Sequence, residues 1–152
     1  MPRRWGAILA PVEENAEAPS FASPADKLIL VVDDDEGIRA LVELIAKGEG
    51  FQIATAVDGL AAAEVMETRS PDLIVADMMM PRQGGYEFLR GLQASGNGRV
   101  PVMIITGSAL NDSTIAMLRQ EGNVVEFVRK PIRAASFASA LHRHLGTAPK
   151  RS

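Results

Sequence analysis

From residue 27 onward, uninterrupted apolar runs alternate with segments whose apolar positions recur on a helical period. LILVV at 28–32 is apolar throughout, as a parallel strand buried on both faces must be. Residues 36–47 then place Ile38, Leu41, Val42 and Ile45 at i, i+3, i+4 and i+7, one face of a helix. Further strands are predicted at 51–57, 73–76, 102–106 and 124–129, and further helices at 60–68, 86–93, 113–120 and 134–145. Turn chemistry agrees with these boundaries. Asp58-Gly59 closes the second strand, Ser70-Pro71 precedes the third, and Pro101 stops any helix before the fourth. Asn111 or Asp112 is expected to cap the fourth helix, and the fifth stacks Phe137, Leu141 and Leu145.

Strands that alternate with helices imply an α/β fold, a (βα)5 parallel sheet wound on both faces. The runs 28–32, 73–76 and 102–106 suit central strands. The run 51–57 carries Gln52 and Thr55, and 124–129 carries Glu126, which suits edges. Those assignments give the flavodoxin-like strand order 2-1-3-4-5. Residues 1–26 are rich in Ala, Pro and Glu without a period and read as a flexible tail, with Trp5 as a lone docking candidate. Residues 27–146 form one domain, and 147–152 a short basic tail. Arg3-Arg4 before WGAILA resembles a secretion signal in outline only, because Pro11, Glu13 and Glu14 break the apolar stretch.

Composition narrows the field. A chain of 152 residues, 47% hydrophobic, supports one packed core. A net charge of −3 gives no reason to expect binding to nucleic acid or to an anionic membrane, and no apolar run approaches membrane-spanning length. The absence of cysteine excludes disulfides and thiolate metal sites and is compatible with a cytoplasmic protein.

Candidate chemistry sits where the apolar runs stop. Asp33-Asp34 follow the first strand, Asp77 the third, Thr106 ends the fourth, and Lys130 follows the fifth. In an open parallel sheet these ends share one edge, where such folds carry their ligands. Clustered carboxylates repel one another unless a cation neutralises them, so the acids themselves predict a metal, and oxygen ligands suit Mg2+. Asp77 is placed to receive a phosphoryl group, with the Lys130 ammonium and the Thr106 hydroxyl able to face it. Taken singly, each has an ordinary reading: Asp33, Asp34 or Asp35 as a helix cap (Asp35 above all), Thr106 as a turn residue, Lys130 as a solvated charge.

The segments LILVVDDDEGIR, DLIVADMMMP, VPVMIITGSA and FVRKPI together resemble the receiver domain of response regulators, across residues 27 to about 146. That likeness implies Asp77 as phosphoacceptor, with Mg2+ held by Asp34, by Asp33 directly or through water, by Asp77, and by the Met79 carbonyl. It implies that Thr106 and Lys130 contact the phosphoryl oxygens, that Phe127 stands at the switch aromatic position, and that Lys130–Pro131 is cis. The donor would be a sensor histidine kinase or histidine phosphotransfer protein, and the domain would catalyse its own phosphorylation and dephosphorylation. The output would be a protein-binding surface on the fourth helix, fifth strand and fifth helix, with a phosphorylation-dependent homodimer as an open outcome. Too few residues follow the last helix for a DNA-binding module, so the chain is expected either to act through another protein or to be a relay that passes or absorbs phosphate.

Departures from the family pattern matter. Gln83-Gly84-Gly85 replaces the usual Met-Asp-Gly, which should loosen the loop after the third strand. The resemblance implies that the positions of Met79 and Ser108 flank the path of the hydrolytic water, and apolar Met79 is expected to lengthen the phosphoryl lifetime. Phe127 has no hydroxyl with which to lock a switched position; its bland reading is a strand core residue. His142 and His144, at i and i+2 on the last helix, fall on different faces and read as solvated surface residues. The rival readings are a phosphorylation-independent adaptor or flavoprotein of the same fold, and a haloacid-dehalogenase-type phosphohydrolase. The second leaves Asp77 unexplained and lacks a late acidic pair.

Overall fold

The computed structural model describes residues 20–78, 85–107 and 112–149. The strands are β1 (Leu28–Val32), β2 (Gln52–Ala56), β3 (Leu73–Asp77), β4 (Val102–Thr106) and β5 (Val124–Arg129). The helices are α1 (Glu36–Gly48), α2 (Gly59–Met66), α3 (Gly85–Ala94), α4 (Asp112–Arg119) and α5 (Ala134–Leu145). The five strands form one parallel sheet in the order β2-β1-β3-β4-β5. This is the flavodoxin-like order that the uninterrupted apolar runs predict.

Burial explains the order. Every residue of β1, β3 and β4 is buried, whereas β2 exposes Gln52 and Thr55 and β5 exposes Val125 and Arg129. Successive side chains of the central strands point to opposite faces. Leu30, Val32, Ile74, Ala76 and Ile104 pack with Phe88, Leu89, Leu92 and Leu118 of α3 and α4. Ile29, Val31, Leu73, Val75, Met103 and Ile105 pack with Val42 and Ala46 of α1 and Phe137 and Leu141 of α5. Each wholly buried Leu or Ile contributes roughly 1.5–3 kcal/mol of transfer free energy, so two continuous cores fix the sheet between its helix layers.

Side-chain caps set the starts of α1 and α2, whereas α5 begins after Arg133 without one. Asp35 Oδ1 accepts from the Ile38 N–H at 3.2 Å, and Asp58 Oδ1 from the Ala61 N–H at 2.9 Å. Asp35 is thus the cap that its position predicts. Gly146, in the left-handed region at φ 68°, ends α5. Its carbonyl accepts the Ala22 N–H at 2.9 Å, and Ala22 bridges Thr147 in parallel. Pro24–Asp26 forms a single 3-10 turn, and Gln52 Nε2 donates to the Ala25 carbonyl at 2.6 Å. The last residues of the segment read as a tail therefore hydrogen-bond to the domain beside the start of β2 and the end of α5. Trp5 and the rest of 1–19 lie outside the described residues.

His142 departs from expectation. It is 2% exposed, with Nδ1 2.6 Å from Thr147 Oγ1 and Nε2 2.8 Å from Glu49 Oε1 at the end of α1. Its ring centroid lies 5.0 Å from that of Phe51. His144 faces the other way, with Nε2 2.6 Å from Glu126 Oε1 on β5. The two rings do fall on different faces, but neither is the solvated residue expected. Two of the groups that bury His142, Glu49 and Phe51, come from elements far away in sequence.

Candidate functional site

The predicted polar residues meet at the C-terminal edge of the sheet. Asp33 follows β1, and its N–H donates to the Ala56 carbonyl of β2 at 3.1 Å. Asp77 remains within β3, paired with Ile105. The ladder thus carries β3 one residue beyond the apolar run. Thr106 ends β4 opposite Arg129, and the Lys130 N–H donates to the Thr106 carbonyl at 2.9 Å. The Lys130–Pro131 peptide is cis, as the resemblance implies.

Asp33, Asp34 and Asp77 bring carboxylate oxygens within 4.8 Å of one another. Asp33 and Asp77 are buried and Asp34 is exposed, so the cluster has a wall and a mouth. Lys130 Nζ stands 3.8 Å from Asp77 Oδ1. Thr106 is buried, and its Oγ1 donates to the Gly107 carbonyl at 3.0 Å.

Asp33 holds the clearest electrostatic signal. Burial pushes its pKa up to about 6. The Asp35 N–H, donating to Asp33 Oδ1 at 2.9 Å, works against that rise, as does Lys130; the Asp77 and Asp34 charges add to it. Asp33 Oδ2 is buried and accepts no hydrogen bond among the described residues. A buried, unsatisfied carboxylate oxygen beside two further acids is costly unless a cation takes it. Hard oxygen donors of this kind fit Mg2+, which prefers carboxylates and water over softer ligands.

Arg39 was not singled out in the sequence. Its Nη1 donates to the Asp33 carbonyl at 2.7 Å, tying α1 to the acidic strand end. The only sequence signal is an Arg on the polar side of α1 one and a half turns past the acids. Met79 and Ser108, expected to bear on the metal and on hydrolysis, and Gln83-Gly84, expected to loosen the loop after β3, lie outside the described residues. Phe127 stands apart from the acids, half-buried on β5 against the α3–α4 core, with the Arg119 guanidinium carbon 4.9 Å from its ring centroid. Among the described residues no helix is long and apolar enough to cross a membrane.

Comparisons with known proteins point one way. The family described as response regulator receiver domain matches residues 29–142. The DNA-binding response regulator MtrA of Mycolicibacterium paratuberculosis is 30% identical over 117 residues, which cover 77% of this chain and 50% of that protein. The alkaline phosphatase synthesis transcriptional regulatory protein SphR of Synechococcus elongatus is 34% identical over 134 residues, 80% of this chain and 51% of that one. The chain thus spans about half the length of these curated relatives. The crystal structure of the receiver domain of NtrX from Brucella abortus superposes with a TM-score of 0.70 at 31% identity, covering 79% of this chain and 99% of that domain.

Proposed function

Because this chain belongs to the response regulator receiver domain family of two-component signalling, we propose that Asp77 takes up a phosphoryl group from a phosphohistidine donor and that the added charge switches a protein-binding surface. The observation that carries this reading is the buried Asp77 carboxylate between two further acids and the Lys130 ammonium. In the transfer, an Asp77 carboxylate oxygen forms a bond to phosphorus as the phosphorus–nitrogen bond of the donor breaks. The imidazole leaves with the bonding pair and takes up a proton. The donor is a sensor histidine kinase or a histidine phosphotransfer protein, and the protein works in the cytoplasm.

Asp33, Asp34 and Asp77, with the Met79 carbonyl, are the residues that would hold Mg2+. When bound, that ion supplies positive charge to the phosphoryl oxygens and to the crowded carboxylates. Lys130 neutralises charge that builds on the phosphoryl oxygens, and its position at 3.8 Å leaves room for them. Thr106 Oγ1 gives up its bond to the Gly107 carbonyl when it turns to donate to a phosphoryl oxygen. That loss releases the start of the loop between β4 and α4. Phe127 moves into the space the hydroxyl vacates, which alters the face of α4, β5 and α5. In the hydrolytic loss a water oxygen forms a bond to phosphorus as the bond from phosphorus to the Asp77 oxygen breaks, which frees inorganic phosphate and restores the carboxylate; the same domain residues serve both steps.

Incubation with Mg2+ and acetyl phosphate tests the reading by intact mass. The expected result is a gain of one phosphoryl group that disappears in Asp77→Asn. An unmodified wild-type chain, or an unchanged gain in the variant, would contradict it.

A further inference from the structure

Three arginines lie about Phe127 of β5. The Arg119 guanidinium of α4 lies over the Phe127 ring, its carbon 4.9 Å from the centroid. Arg129 follows Phe127 by two residues on the same strand and so projects to the same face. Arg129 and Arg133 line, with Phe127, a cavity of about 200 Å³. All three arginines are exposed, and among the described residues none has an ion-pair partner.

Nearby carboxylates are engaged elsewhere. Glu126 Oε1 is 2.6 Å from both Arg143 and His144. Burial raises its pKa, and those two partners outweigh that rise and hold it below the ordinary value. Glu121 faces Arg90 at 3.9 Å. Asp112 begins α4, about 10 Å of helix away from Arg119. A chain of net charge −3 therefore carries an uncompensated positive patch at this edge. Apolar surface flanks it, with Val125 40% and Met117 41% exposed. As an outer strand, β5 also presents unpaired backbone groups.

We propose that this surface docks an acidic segment of a protein partner, whose carboxylates pair with Arg119, Arg129 and Arg133 and whose apolar side chains cover Val125 and Met117. The proposal rests on the reading of the β5 side as the switched surface and names the chemistry of its partner. Withdrawal of the Phe127 ring frees the Arg119 guanidinium for a carboxylate, which couples the switch to acidic binding. A second copy of the chain would meet this patch with its own arginines in a symmetric contact. A nucleic acid offers phosphates to the arginines, but Val125 and Met117 are aliphatic and give its bases no aromatic platform on which to stack.

The test uses the full chain and a fluorescent peptide of alternating glutamate and leucine, followed by anisotropy. Binding should weaken about tenfold or more in the double variant Arg129→Glu/Arg133→Glu. It should also weaken with salt, and a lysine–leucine peptide should not bind. Both substituted positions are exposed, and an unchanged melting profile checks that the variant folds. Affinity that ignores the double reversal overturns the proposal, as does tighter binding of oligothymidylate or a dimer dispersed by the same reversal. Beryllofluoride separates the two readings. A peptide response to the reversal without a response to beryllofluoride supports the acidic-partner surface and sinks the switch. A beryllofluoride-driven NMR shift at Phe127 with no peptide binding overturns the surface and leaves the switch standing.

Discussion

The Lys130 ammonium stands 3.8 Å from Asp77 Oδ1, so the end of β5 reaches past β4 to the end of β3. This is a charge placed beside a carboxylate with room between them, not a closed ion pair. The Lys130 side chain is 30% exposed and that of Asp77 only 7%, so the cation is the more solvated member of the pair. In Lys130→Met, phosphorylation by acetyl phosphate should slow by about 10²-fold while the fold persists. Time-resolved intact mass and circular dichroism check both halves of that statement.

Asp33 makes stability depend on pH in a defined direction. Its folded-state pKa, about 6, lies above the 3.8 of an ordinary aspartate. The folded chain then holds the proton more tightly than the unfolded one. This group favours folding fully below about pH 4, and the contribution is lost as pH rises through about 6. At pH 7 without metal, Asp33→Asn should therefore be more stable than wild type by on the order of 1–3 kcal/mol, with the difference gone near pH 4. Saturating Mg2+ should reverse the ranking at pH 7, and wild-type Mg2+ affinity should fall below about pH 6, where a proton competes for Asp33. Thermal melts with chelator and with Mg2+ read each effect.

His142 ties α5 to α1 at the edge of the sheet remote from the acids. Its ring nitrogens meet Thr147 and Glu49 at 2.6 and 2.8 Å. His142→Ala leaves a cavity beside Phe51 and two polar groups without their partner, at a cost of about 2–4 kcal/mol. Denaturant melts should show that loss. Phosphorylation at temperatures where the variant is folded should be unchanged.

The lifetime of the phosphoryl group is expected to answer to Met79. A thioether offers only a weak acceptor to water, whereas an amide both donates and accepts. Met79→Asn should shorten the half-life after removal of donor, read by loss of the added mass. An unchanged half-life would count against a role for this side chain.

Much of this arrangement was legible in the chain because it depends on local pattern. β1, β4, β5 and α5 begin and end where their apolar periods do. The edge positions of β2 and β5 follow from Gln52, Thr55 and Glu126. The four strand ends converge because a parallel sheet aligns its C-termini, which is how Asp33, Asp77, Thr106 and Lys130 could be grouped before any distance was known. Boundaries were missed where hydrogen bonding and the apolar pattern part company. Asp77 continues the β3 ladder despite its charge, and α2 stops at Met66 rather than at Thr68. Long-range contacts were not legible. The burial of His142 depends on Glu49, 93 residues earlier, and on Thr147 past the helix end. Arg39 reaches the Asp33 carbonyl from another element, and Arg119 meets Phe127 only once α4 packs beside β5.

Mapping the phosphoryl group to one residue tests the central claim most directly. The chain, treated with Mg2+ and acetyl phosphate, is reduced with borohydride, which converts a phosphorylated aspartate to homoserine, and then digested for tandem mass spectrometry. The expected result is homoserine at position 77 alone. Homoserine at 33 or 34 instead, or an intact Asp77 in a chain that has gained the phosphoryl mass, would contradict the account.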